Sequence, residues 1–192
     1  MFRFFKEHSY EIVKLFFTQI GISVLGLVLS FSTNSSKFLF LISSIFASVF
    51  YACLLYSEGW ELGAKDRPRI TNGRMKFDWT KGMKFSLFSN TVNFVLVLIM
   101  FVCIPLGKTV QAFGDTYFVT YQIQRLISAM YMGINTYFSP STVIDGISYI
   151  QSDSLFQPIF YLLAIIPSVL AVWLGYYMGA NDRKLFTVTK PD

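Results

Sequence analysis

The chain has 192 residues, of which 54% are apolar and only 14% charged. A water-soluble domain carries about 25% charged residues, so this composition excludes an ordinary aqueous surface and points to a bilayer as solvent. The net charge of +5 does not call for a nucleic-acid partner, because the basic residues fall in the pattern that membrane topology dictates.

In chain order, no charged residue lies between Lys14 and Lys37, Lys37 and Glu58, Lys84 and Lys108, or Asp153 and Asp182. Each gap holds an apolar run of about 20 residues, the length that crosses about 30 Å of hydrocarbon. Four spanning helices are predicted, at about 15–33, 38–57, 85–106 and 155–179. The first follows Arg3 and Lys6 and ends near Ser30 and Ser32, as a signal peptide would, but is read as a retained span. Cys53 and Cys103 fall inside spans at depths differing by roughly 20 Å at 1.5 Å per residue, too far for a disulfide. Both are expected to be buried small apolar residues.

After the second span comes "GAKDR" (63–67), and after the fourth comes "GANDR" (179–183). With Gly59 and Gly175 in the same register, the pattern G-x-x-x-G-A-x-D-R occurs twice at an offset of 116. Lys14 and Lys84 head similar aromatic-rich entries to spans one and three. The chain therefore reads as two helical hairpins of the same orientation, repeat 1 about 10–67 and repeat 2 about 84–183. They form a single membrane domain over 1–192, with an external insertion at about 107–154. Repeats of this kind are related by an axis along the membrane normal. Gly59 with Gly63, and Gly175 with Gly179, each share a helix face and predict close helix approach in lipid. An Asp at a helix C-terminus opposes the macrodipole, so Asp66 and Asp182 require partners. The arrangement predicts Asp66 beside Arg183 and Asp182 beside Arg67.

The loop 58–84 carries seven basic residues, together with Trp60, Met75, Phe77 and Trp79. This mixture suits anionic lipid headgroups. The N-terminal segment, this loop and the C-terminal tail hold thirteen basic residues, against Lys37, Lys108 and Arg125 elsewhere. The positive-inside rule then places both termini and the loop in the cytoplasm of a multi-pass cell-membrane protein. Within the third span, Asn90 and Asn93 share one face. In the insertion, a helix is predicted over 115–139, capped by Asp115 and ended at Ser139-Pro140. Its polar stripe is Thr116, Thr120, Gln124, Ser128 and Asn135, with Arg125 at the edge and a wide apolar arc elsewhere. Charge distribution favours a non-spanning, external amphipathic helix. Residues 141–150 read as an interfacial turn, and Pro167 is expected to kink the fourth span.

The fold class is thus an all-α integral membrane protein of four transmembrane helices plus an external amphipathic helix. The predicted spans contain no ionisable residue, which membrane interiors that carry chemistry usually hold. One histidine, His8, and two remote cysteines make no metal site of known spacing, and no catalytic motif is present. No catalytic, cofactor or metal residues are assigned. The expected function is a partner-binding or assembly subunit that joins another membrane protein or a second copy. The alternative is a small transporter or channel with a polar path near Asn90, Asn93 and Gln124. An enzyme built on Glu58, Glu61 and Asp66 ranks third.

Overall fold

The computed structural model describes residues 8–33, 36–107, 109–144, 147–150 and 155–182. Helix α1 spans Ser9–Thr33, α2 Lys37–Thr71, α3 Lys81–Ser89, α4 Thr91–Gly107 and α5 Gln111–Ile127. A 3-10 turn, Ala129–Tyr131, leads into α6, Met132–Phe138. Strands β1, Ser141–Ile144, and β2, Ile147–Ile150, form an antiparallel ribbon in which Ser141 pairs with Ile150. Helix α7 spans Phe156–Ala180. The fold is helical apart from that ribbon, which replaces the interfacial turn expected at 141–150.

Three helices, α1, α2 and α7, are long and apolar enough to cross a membrane, and the broken pair α3 and α4 taken together would be a fourth. The surfaces of these helices and of α5 are patterned for lipid. Phe17, Phe46, Leu98, Phe118 and Leu163 are exposed, while Gln19, Ser44, Asn93, Gln124 and Gln157 are buried. A water-soluble bundle would show the reverse.

The structure corrects several expectations. The predicted 85–106 span breaks at Asn90, directly before the first residue of α4, a position where Asn is favoured because its side chain competes for helix-end groups. Helix α2 runs on to Thr71, so GAKDR lies within a helix and Asp66 is not at a helix end. Charge gaps mark where hydrocarbon ends, and a helix continues past that boundary wherever helix formers such as Glu61, Leu62, Ala64 and Lys65 follow. Cys53 is exposed and only Cys103 is buried, and both are free thiols.

The predicted 115–139 helix begins earlier, at Gln111, with Val110 as an N-cap that makes no side-chain hydrogen bond. Asp115 is therefore no cap. The helix also breaks at 128–131. The carbonyls freed by that break are met by hydroxyls from elsewhere, as buried backbone groups require. Ser23 donates to the Ile127 carbonyl, and Ser44 donates to the Met130 carbonyl at 2.6 Å. Helix α7 is continuous through Pro167.

The described chain divides into two compact units. Unit 1 gathers the start of α1 up to Leu15, α2 from Ala52, the following loop with α3, and α7 from Pro167. Unit 2 holds Phe16–Tyr51 and Asn90–Ile166.

Candidate functional site

In unit 1 the four motif glycines form one contact. A Cβ on Gly59 would strike the Val172 backbone, and one on Gly63 the backbone of Tyr176 and Ala180. Reciprocally, a Cβ on Gly175 would strike Tyr56 and Trp60, and one on Gly179 Trp60 and Ala64. Residues 56, 60 and 64 become 172, 176 and 180 on adding 116, so the interface maps onto itself under the sequence offset. The pairing runs in the same direction along both helices, so α2 and α7 pack in parallel here. Close backbone approach is what small residues four apart permit in a membrane. Gly82 of α3 adds a third close contact, with a Cβ position 2.8 Å from the Tyr176 Cβ.

The charges beside this interface diverge from the expected symmetry. Arg67 pairs with Asp182 as expected; the side chains are 40% and 69% exposed. Asp182 stands past the end of α7 in the left-handed region, φ 56°, which Asp tolerates better than most residues. Arg183 lies outside the described residues. Asp66 takes different partners: the Lys81 ammonium donates to its Oδ2 at 2.7 Å and the Tyr176 hydroxyl at 2.9 Å. Asp66, Lys81 and Tyr176 are all buried, and Lys81 also lies over the Phe85 ring at 5.9 Å. Lys81 sits in the loop-to-α3 corner, beyond the repeated motif, so the motif alone could not name it.

Three further acids of unit 1, Glu58, Glu61 and Asp78, are also matched. Lys14 bridges Glu58 at 2.6 Å and Glu61 at 3.0 Å, and Lys65 pairs with Glu61 at 3.1 Å. Together these contacts make an ion-paired helix surface. Asp78 accepts from the Thr80 backbone N–H at 2.9 Å and from Lys84 at 2.8 Å. Burial pushes its carboxyl up, but the bonds from Lys84 and Thr80 outweigh that and hold it below the usual carboxylate range.

In unit 2 the predicted polar residues converge. The Asn93 amide donates to Gln19 Oε1 at 3.1 Å and to Asn90 Oδ1 at 2.9 Å. Gln124 donates to Asn93 Oδ1 at 3.4 Å and to Ser128 at 3.1 Å. Gln124 Oε1 is buried without a hydrogen-bond partner. The polar face of α5 points inward and its apolar residues Phe118, Val119, Ile123 and Leu126 are exposed. Thr116, expected on the stripe, is exposed and returns its hydroxyl to the Ala112 carbonyl. Arg125 is half-buried in the last turn of α5, where a cation suits the carbonyl end of the helix.

A second polar group, unforeseen from sequence except for Asn135, joins α6 to α7. Asn135 donates to Gln157 Oε1 at 3.0 Å and to the Tyr161 hydroxyl oxygen at 3.1 Å. The turn between α5 and α6 is clamped by glycines: a Cβ on Gly26 would meet the Met130 backbone, and one on Gly133 the Phe40 carbonyl. Among the described residues no group of His, Cys, Asp and Glu could hold a metal ion.

These features define the class, a helical membrane protein whose helices carry buried polar contacts. Compared with protein families, curated proteins and solved structures, the chain matches none.

Proposed function

We propose that this chain is a polytopic membrane subunit that works by holding a partner rather than by catalysis. In this reading four spans form two hairpins of the same orientation, and both termini and the 58–84 loop are cytoplasmic. The reciprocal α2–α7 contact at an offset of 116 supports the hairpin repeat, since a two-fold axis along the membrane normal would relate such contacts. Helices α5 and α6 then form the external insertion, entering the bundle at the 128–131 turn without crossing it.

One observation carries the subunit reading. Gln19, Asn90, Asn93 and Gln124 are all buried and bonded in a chain to one another, so these side chains act as interhelical ties instead of lining a path. The motif glycines are likewise occupied within the chain. The surface this reading assigns to another membrane protein, or a second copy, is the exposed apolar face of α5 with Phe118, Val119, Ile123 and Leu126.

The transporter reading is kept because Gln124 Oε1 is buried and unpartnered, a cost of about 1–3 kcal/mol that a passing polar solute would relieve. Purification in native lipid decides between the two. A protein recovered with the chain at fixed stoichiometry, and lost on Ile123→Lys, supports the subunit. A lone chain that moves a small polar solute in proteoliposomes, and stops on Gln124→Leu, overturns it.

A further inference from the structure

The basic residues of the 58–84 segment, from the end of α2 to the start of α3, divide into two sets. Lys65, Arg67, Lys81 and Lys84 each have an acidic partner. Arg69, Arg74 and Lys76 have none among the described residues, and all three side chains are exposed. Pairing therefore leaves three uncompensated positive charges on one short piece of chain.

That piece is a built turn. The N–H of Arg74 bonds the Arg69 carbonyl at 2.9 Å and that of Gly73 bonds the Ile70 carbonyl at 3.0 Å. Gly73 has φ 68°. This is a Schellman closure of α2 with glycine in the left-handed position, and it brings the backbones of Arg69 and Arg74 together. Immediately after it, Phe77 stacks on Tyr176 and Trp79 meets Trp173 edge-on. The Trp173 indole N–H also donates to the Trp79 carbonyl at 3.1 Å. Both rings stay exposed on their outer side, Trp79 at 56% and Phe77 at 39%. Unpaired cations next to exposed aromatic rings at the end of long apolar helices match a headgroup layer, where rings sit at the interface and cations meet phosphate.

We propose that Arg69, Arg74 and Lys76, with Trp79 and Phe77 beside them, form a docking surface for anionic phospholipid headgroups, and that an occupied surface braces the α2–α7 contact. The bracing follows from the geometry, since the turn closes α2 while the two rings lie on α7. The inference rests on the chain being membrane-embedded. It is indifferent to the choice between subunit and transporter, and to which leaflet the loop faces.

The test uses the full chain in neutral-detergent micelles, with and without phosphatidylglycerol, read by thermal unfolding. Each uncompensated cation near an anionic surface is worth about five-fold in association, so the three together give about a hundred-fold preference for charged over zwitterionic lipid. Phosphatidylglycerol should raise the unfolding temperature of the wild type, and 0.5 M salt, with a Debye length of about 4 Å, should erase most of the rise. The triple variant Arg69→Gln/Arg74→Gln/Lys76→Gln should lose the rise and keep its neutral-micelle temperature. If the triple variant does not fold, Arg69→Gln and Lys76→Gln singly should each take a share of the rise. Lys84→Gln, whose ammonium is already paired, should leave it intact. No rise in the wild type, or an equal rise in the triple variant, overturns the proposal. So does an equal rise with inorganic phosphate in neutral micelles, which would make the turn a site for free anions.

Discussion

The buried Asp66–Lys81 pair offers the sharpest test of the packing in unit 1. Side-chain exposures are 10% and 11%, so neither charge can turn to water once its partner is removed. Breaking such a pair from one side costs about 3–5 kcal/mol. The lower end applies here, because Tyr176 still donates to the carboxylate and the Phe85 ring still faces the ammonium. Asp66→Asn and Lys81→Met should each cost about 3 kcal/mol, whereas the double variant removes both charges and should cost far less than their sum. A coupling energy of about 2–4 kcal/mol is expected. Arg67 and Asp182, at 40% and 69% exposure, should couple by no more than about 1 kcal/mol. Trp60, Trp79 and Trp173 all lie in unit 1, so tryptophan fluorescence during thermal unfolding reports on the region perturbed. Additivity at Asp66 and Lys81, or equal coupling in the two pairs, would mean that burial does not couple Asp66 to Lys81.

The glycine contact predicts that Gly63→Ala and Gly179→Ala each destabilise. The added methyl meets backbone that cannot rotate away, at about 1–3 kcal/mol against about 1 kcal/mol gained in helix propensity. Gly21, with nothing within 4 Å, supplies the control: Gly21→Ala should be neutral or stabilising in the same melt. Asp78 predicts a pH dependence, since its folded pKa is held below the ordinary value. Its contribution is full above about pH 4 and is lost as pH falls through the folded pKa. Asp78→Asn should flatten that part of the stability profile, by no more than about 1 kcal/mol for a pair this exposed. For topology, single cysteines at Ser35 and Ser152, in a background lacking Cys53, should react with an impermeant reagent from outside, and those at Asn72 and Thr189 should not. Reaction at Thr189 would mean that the 111–138 segment crosses the membrane.

The apolar helices were legible because hydrocarbon forbids charge, and a soluble chain seldom keeps so long a run uncharged. The glycine interface was legible for a related reason: only small residues allow the approach, and the same spacing occurred twice. Partner choice was not. Lys81 meets Asp66 because the loop folds back fifteen residues later, and nothing in either signature records that return. The break at 128–131 was hidden because apolar periodicity runs through it. What makes the break tolerable is a set of serine hydroxyls, Ser23 and Ser44, lying about a hundred residues away in sequence. The polar stripe of α5 could be read from the helical wheel, though not that its Thr120 and Gln124 turn inward while Thr116 stays exposed. That Gln124 would meet Asn93 and Gln19 could not, because three separate helices supply those side chains.

The repeated signature performs one task twice and a second task two different ways. Its glycines are interchangeable: each contact made by Gly59 or Gly63 has its counterpart at Gly175 or Gly179. Its aspartates are not. The residue that donates a hydroxyl to Asp66 is Tyr176, and the position equivalent to Tyr176 is Trp60, which carries no hydroxyl to offer Asp182. Asp182 instead turns out of the helix, where its side chain stays 69% exposed and pairs with Arg67. Backbone approach constrains both copies because it depends on what is absent from the side chain. Charge burial depends on what a neighbour supplies, and the neighbours differ. A shared ancestry or a shared packing constraint would each preserve the glycines, but only the local partners decide whether the acid is buried. Equal motifs therefore predict equal helix contact, and unequal sensitivity when the acid is neutralised: a large loss at Asp66 and a small one at Asp182.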